Sequence, residues 1–294
     1  MQQWHGKSRG NKSGYRIFVF IIKNLGIYPA YFLLLFVAFY YFLFSPASTK
    51  HIYRYFKERH KFSRFKSIRY VYLNYLVFGQ TLIDKLIVMS GIENKFTYNM
   101  DGKDHLFEIE NLQKGGILMS AHIGNWEMAS QWFSEITGSI NIIMLDAEHQ
   151  QIKEYIDSIS KQRSYHIIPI KDDMSHIYDI GRAFQRHELV CMHADRFLEG
   201  NKTEKKIFMG EQAGFPVGPF AIAATFRVPV SFVFAFKESL THYHFYATEP
   251  IILDKEKNRQ QIIDQLMNTF ISKLEEMVHR YPLQWFNYYN FWKE

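Results

Sequence analysis

Residues 120–127 read SAHIGNWE, with His122 five positions ahead of Glu127. Imidazole ordinarily titrates near neutrality. A carboxylate bonded to one ring nitrogen leaves the other free to take a proton. In a regular helix a five-residue step turns two side chains about 140° apart at 3.6 residues per turn. Gly124 permits a tight turn and Asn125 is a good helix N-cap. His122 is therefore expected in a turn and Glu127 in the first turn of a helix, which removes the angular obstacle. A structural His–Glu hydrogen bond is the competing reading. With no nucleophile of its own, such a pair suits activation of a hydroxyl or amine brought by a substrate.

A second stretch, His193–Val230, reads HADRFLEGNKTEKKIFMGEQAGFPVGPFAIAATFRVPV. Arg196 follows an apolar run and could grip an anionic group. Lys202, Lys205 and Lys206 add positive charge, for which plain solvation is the alternative. In GFPVGPF (Gly214–Phe220) glycines flank prolines, so backbone amides can approach a ligand closely, unless this is an ordinary turn. His193 and Asp195 form a weak candidate metal pair, since no wider ligand cluster accompanies them. Cys191, the one cysteine, lies in the apolar run LVCMHA and reads as a small buried residue. No Gly-x-Ser-x-Gly elbow exists, and Gly6–Lys7–Ser8 lacks the upstream glycine of a phosphate-binding loop.

The elements that must hold these residues can be read from periodicity. The 294 residues are 47% hydrophobic and 17% aromatic with a formal net charge of +6, so a sizeable core is available and disorder is disfavoured. Ile27–Phe44 contains no charged residue. At ~1.5 Å per residue, eighteen residues span about 27 Å, close to the bilayer hydrocarbon core. The segment is expected to be a retained anchor, spanning or interfacial, with a buried core helix as the alternative. Basic residues flank it on both sides, Lys7 to Lys23 before and Lys50 to Arg69 after. The richer C-terminal flank favours a cytoplasmic main domain.

Lys50–Ser90 has helical periodicity, with Gly91 as its stop. Short apolar strands then alternate with amphipathic helices. Strands are expected at Gly116–Ala121, Asn141–Leu145, His166–Ile170, Leu189–Ala194 and Pro229–Phe236. Helices are expected at Trp126–Ile136, from about Ala147 to Lys161, and after an Asp172 or Asp173 cap. His242–Thr248 suits an antiparallel strand at the end of the sheet, and a long helix is expected from about Lys255 to His279. The pattern predicts an α/β fold: a mixed, mostly parallel sheet flanked by helices, plus the N-terminal anchor helix. In such sheets ligands gather at the carboxyl ends of strands, where SAHIGNWE is expected.

At that point the residues resemble a known family. AHIGNWE is similar to the His-x4-acid motif of the lysophospholipid acyltransferase superfamily. ADR, FMGEQAGFPVGPFAIA and YPLQW resemble, in the same order, its lipid A late-acyltransferase branch. Glu127 stands where many acyltransferases carry Asp. WHGKSRG (Trp4–Gly10) resembles a subgroup associated with bacterial aminolipids and aryl-polyene-type lipids.

The resemblance implies a segment 1–49 with the anchor and an acyltransferase domain at 50–294. It implies transfer of a fatty acyl group from an acyl thioester, on acyl carrier protein or coenzyme A, to a hydroxyl or amine of a lipid. The implied setting is the cytoplasmic face of a bacterial inner membrane, with no metal, cofactor or nucleic acid. His122 and Glu127 would be the catalytic pair. Asn125, Asp195, Arg196, Gly214, Phe215, Pro216 and Gly218 would serve substrate binding, with amides near Gly214–Gly218 facing the developing oxyanion. Two other readings compete. One is a membrane-bound lipid-binding or scaffold protein with a non-catalytic fold of this kind. The other is a metal-dependent hydrolase using His122, Glu127, His193 and Asp195.

Overall fold

The computed structural model describes residues 12–92, 95–131, 139–144, 165–171, 173–198 and 200–292. The chain divides into two compact units. The first comprises Met1–Lys95, Ala147–Arg163 and Val278–Lys293, the second Phe96–Asp146, Ser164–Met277 and Glu294.

Residues 12–90 of the first unit are mostly helical: α1 (Lys12–Leu25), α2 (Ile27–Phe44), α3 (Pro46–Arg54), a π turn (Tyr55–Arg59) and α4 (Arg64–Ser90). Gly26, at φ 85°, separates α1 from α2. Pro46 opens α3, where its missing N–H costs no helical bond. The expected long helix is thus interrupted at 60–63, after the π turn. Ser63 then restarts it by accepting the Lys66 N–H, and Gly91 closes it in the left-handed region.

α2 has two unlike faces. Ala30, Tyr31, Leu34 and Ala38 are buried, and α2 packs against α4. The Tyr31 hydroxyl donates to the buried carboxylate of Asp84, and the Leu34 side chain lies where a Cβ on Gly79 would be. On the other side Tyr28, Phe32, Phe36, Phe39 and Leu43 are exposed. By length and composition α2 is apolar enough to cross a membrane.

The second unit is built on a seven-stranded sheet of order β1-β9-β8-β2-β5-β3-β4. The strands are β1 (Thr97–Asp101), β2 (Gly116–Ser120), β3 (Ile140–Met144), β4 (His166–Pro169), β5 (Leu189–His193), β8 (Val230–Lys237) and β9 (His242–Ala247). All neighbouring pairs are parallel except β8 with β9. The sheet is therefore mixed and mostly parallel, as the apolar runs predict. β2 is buried at every position, which is why it reads as an unbroken apolar run. β9 is antiparallel to β8 as expected but is not at the edge, because β1 pairs beyond it.

β6 (Thr203–Phe208) and β7 (Glu211–Pro216) form a separate antiparallel hairpin. The helices are α5 (Lys103–Asn111), α6 (His176–Gln185), α7 (Gly218–Phe226) and α8 (Arg259–Arg280). Ile262, Ile263, Leu266, Phe270 and Leu274 of α8 are buried, and Phe270 meets the rings of Phe220 and Phe232 edge-on.

α8 starts later than its periodicity predicts. Asn258 and Gln261 exchange side-chain to backbone bonds of 2.9 and 3.0 Å, a reciprocal cap that fixes the first turn. Trp126–Gln131 is a 3-10 helix rather than the start of an α-helix. The remainder of that expected helix, and the polar helix expected from Ala147 to Lys161, lie outside the described residues. Asp172 is also outside them, while Asp173 accepts the Ser175 N–H ahead of α6.

Candidate active site

β2 and β5 are parallel neighbours, and Ser120 is the register partner of His193. The Ala194 N–H donates to the Ser120 carbonyl, so the two chains leave the sheet side by side. His122 follows β2 in a tight turn in which the Ile123 N–H reaches back to Ala121 O at 2.8 Å. Gly124 then takes φ 67°, and a Cβ there would fall 1.9 Å from the Ala235 carbonyl oxygen. Only glycine fits, for both reasons. Asn125 N–H donates to that same carbonyl and ties the turn to β8.

This geometry sets Asp195 against His122. Asp195 Oδ1 lies 2.8 Å from His122 Nδ1, and Oδ2 accepts the His122 backbone N–H at 3.0 Å. An ionised carboxylate can only accept, so Nδ1 carries the proton and Nε2 presents its lone pair. His193 Nδ1 stands 3.4 Å from Nε2, and the two rings meet edge-on. The Asp195 side chain is 1% exposed and that of His122 is 28% exposed, so the base is reachable while its partner is not.

The carboxylate on Nδ1 is thus Asp195, 73 residues away in the chain, and not the Glu127 to which the local motif points. Neighbouring parallel strands bring their ends together regardless of sequence separation. Glu127, in the 3-10 helix, acts on His122 through its charge, the least of the influences on that imidazole.

Burial lowers the His122 pKa from its ordinary value, and the positive charge of Arg196 lowers it further. Asp195, by charge and hydrogen bond, and Glu127 oppose this without cancelling it. For Asp195, burial is the largest influence and disfavours the charged form. The combined attraction of His122, Arg196 and His193 outweighs it and holds the carboxyl below the usual range. Burial, with the His122 and Arg196 charges, brings His193 down to about 3. Burial also pushes the Cys191 thiol up to about 12, which fits a packed strand residue rather than a nucleophile.

One ligand atom each from His122, His193 and Asp195 lies within 4.8 Å of the others, the spacing of a metal trio. However, both Asp195 oxygens already accept from His122, and Arg196 Nε stands 3.9 Å from Oδ2, bringing positive charge to the cluster. The donor set fits a hydrogen-bonded chain of Asp195, His122 and His193 better than a cation cage.

Residues 73–294 match the family of bacterial lipid A biosynthesis acyltransferases. The chain belongs to that family. Two phosphatidylinositol mannoside acyltransferases of Mycobacterium tuberculosis, from strains ATCC 25618 / H37Rv and CDC 1551 / Oshkosh, are each 24% identical to it over 123 residues. That stretch is 42% of this chain and 39% of each relative, so it spans well under half their length. A solved 1-acyl-sn-glycerophosphate (LPA) acyltransferase from Thermotoga maritima covers 83% of this chain and 97% of its own, at 13% identity. Its TM-score of 0.32 is too low to bear on fold or mechanism.

The other candidate residues of this family member divide. Asn125 is buried and its side chain donates to the Tyr243 hydroxyl at 3.3 Å, a structural bond rather than a substrate contact. The Arg196 side chain is 10% exposed beside Asp195, so its charge acts within the site. Gly214, Phe215 and Pro216 are in β7 and pair with Lys205, Glu204 and Thr203 of β6. Phe215 is fully buried, Pro216 has no N–H, and the Val217 N–H is bonded to the Lys202 carbonyl. Among the expected oxyanion amides this leaves Gly214, which faces the Phe197 ring, and Gly218, whose Cβ position is open. Lys206 is paired with Glu204 and Asp264. His193, which the sequence offers as half of a metal pair, stands instead beside the His122 ring, and the His-x-Asp alternation at a strand end puts both side chains on one face.

In histidine-labelled protein, ring NMR is expected to give His122 a titration midpoint below 6.5, because the net influence favours the neutral form. Arg196→Met removes a positive charge and moves the midpoint up. Asp195→Asn removes a negative one and moves it down.

Proposed function

We propose that this protein is a membrane-associated acyltransferase. It moves a fatty acyl group from an acyl thioester, of acyl carrier protein or coenzyme A, to a hydroxyl or amine of a lipid acceptor. The product would be a lipid A-like lipid or an aminolipid, made at the cytoplasmic face of a bacterial inner membrane. The observation that carries the reading is the imidazole of His122, fixed through Nδ1 by a buried carboxylate with its Nε2 lone pair directed away from it. Family membership supplies the reaction class.

The acceptor oxygen or nitrogen attacks the thioester carbonyl while Nε2 takes its proton. Asp195 stabilises the imidazolium, and the charge of Glu127 adds to this. The amides of Gly214 and Gly218 are the candidates for the negative oxygen of the tetrahedral adduct. On collapse the C–S bond breaks and the thiolate recovers the proton from Nε2, so the base is regenerated. A low His122 pKa keeps the free base populated at neutral pH.

The exposed apolar face of α2 supports attachment to lipid. A patch of this kind on a soluble surface marks a membrane or protein contact. Because the opposite face is packed on α4, with Asp84 bonded to Tyr31, one side of the helix is given to protein. A charged α4 alongside it favours an interfacial position over a freestanding span.

Two tests follow. His122→Ala and Asp195→Asn are each expected to lower acyl transfer by roughly 10³-fold or more. Comparative lipid mass spectrometry of cells carrying either variant should then lose the species lost on deleting the gene. Persistence of that species at the wild-type level in His122→Ala cells would refute the mechanism. Phe32, Phe36 and Phe39 changed together to Asp should shift the protein from the membrane pellet to the soluble fraction. At about 2.5–3.5 kcal/mol per acidic residue at full depth, and less at the interface, three suffice.

A further inference from the structure

We propose that His193 is a second catalytic imidazole for a hydroxyl acceptor: its Nδ1–H holds the nucleophilic oxygen, which has a second lone pair for the attack, and aims the hydroxyl proton at His122 Nε2. The inference rests on the acyl-transfer reading above and adds a residue to it.

The tautomers follow from the hydrogen bonds. Asp195 fixes the proton of His122 on Nδ1, so Nε2 is a bare acceptor. His193 Nδ1 lies beside Nε2, at 3.4 Å. Two bare nitrogens would repel, so His193 carries its proton on Nδ1 and aims it at the atom that does the chemistry. At 3.4 Å that contact is long for a hydrogen bond, whereas an oxygen about 2.9 Å from each nitrogen fits over the same base. An acceptor hydroxyl there would receive from His193, donate to His122 and keep a lone pair for the carbonyl. Before the acceptor arrives, the His193 N–H covers the lone pair.

The position of His193 is built rather than incidental. It ends β5 in register with Ser120, and one residue, Ala194, separates it from Asp195. Alternation therefore turns His193 and Asp195 to the same side, one toward each nitrogen of His122. The Trp126 ring stands edge-on to His193 at 6.2 Å. With a pKa near 3, His193 remains neutral when His122 becomes an imidazolium and does not draw off its proton. The proton stays on Nε2 for the departing thiolate. His193 thus acts as a donor and not as a relay.

The test compares His193→Phe, which keeps a ring without the donor, with His193→Gln, which keeps an N–H. Acyl transfer is measured in membranes with long-chain acyl thioesters of acyl carrier protein and of coenzyme A. The acceptor is the lipid extract of cells lacking the gene. His193→Phe is expected to lose about tenfold or more in kcat, while the KM for the thioester stays within about twofold. His193→Gln is expected to regain part of the loss, which a residue serving only to fill space would not allow. Full kcat in His193→Phe, or equal losses in both variants, overturns the role of His193 and leaves His122 untouched. No transfer by the wild-type protein overturns the acyl-transfer reading itself, and this inference with it.

Discussion

The site depends on one carboxylate that spends both oxygens on one residue. Asp195 accepts the backbone N–H and the ring Nδ1–H of His122. A buried carboxylate is costly unless it is paired and hydrogen-bonded, and these two bonds, with Arg196 alongside, meet that condition. The same pair of bonds fixes where the imidazole sits, which way it faces and which nitrogen is bare. Much of the second unit can be understood as keeping that pair intact. The β2–β5 register brings the strand ends level, and the bond from the Asn125 N–H to the Ala235 carbonyl holds the turn against β8. Burial of the whole β2 strand leaves it no alternative position.

The first unit is governed by a different solvent problem. α2 buries a narrow face of Ala30, Tyr31, Leu34 and Ala38 against α4 and leaves aromatic side chains outside. The close approach at Gly79 and the Tyr31–Asp84 bond select which face turns inward. On the outer face Tyr28, Phe32 and Phe36 are exposed, and the Phe39 ring also meets Tyr72 of α4 edge-on. A lipid phase is the environment in which such a surface costs least.

The sheet was largely legible in the sequence because five of its strands are short apolar runs bounded by breaks. β1 and α5 were not, since TYNMD and KDHLFEIEN carry alternating or mixed polarity that periodicity does not separate from loop. The β6–β7 hairpin is hidden in the sequence because GFP reads as a turn, whereas its Phe215 is a core residue. At the site, the base is evident from its turn, but the local motif points to the nearest acid in sequence as its carboxylate. Glu127 is local to His122; Asp195 is brought there by strand pairing, which no local pattern reports. The His-x-Asp spacing of residues 193–195 held the missing information, and its meaning depended on knowing which strand β5 would lie beside.

The alternation along β5 has a further consequence for how this site can vary. His193 and Asp195 face His122 because an odd number of residues separates them and because β5 enters with one particular parity. Inserting or removing one residue ahead of them, with the strand otherwise kept in line, would turn Ala194 toward the imidazole and send both polar side chains to the opposite face of the sheet. A change of two residues would restore the facing and alter only the reach. The loop before β5 can therefore be expected to tolerate length changes that it absorbs before the strand begins, while within β5 length is constrained in steps of two.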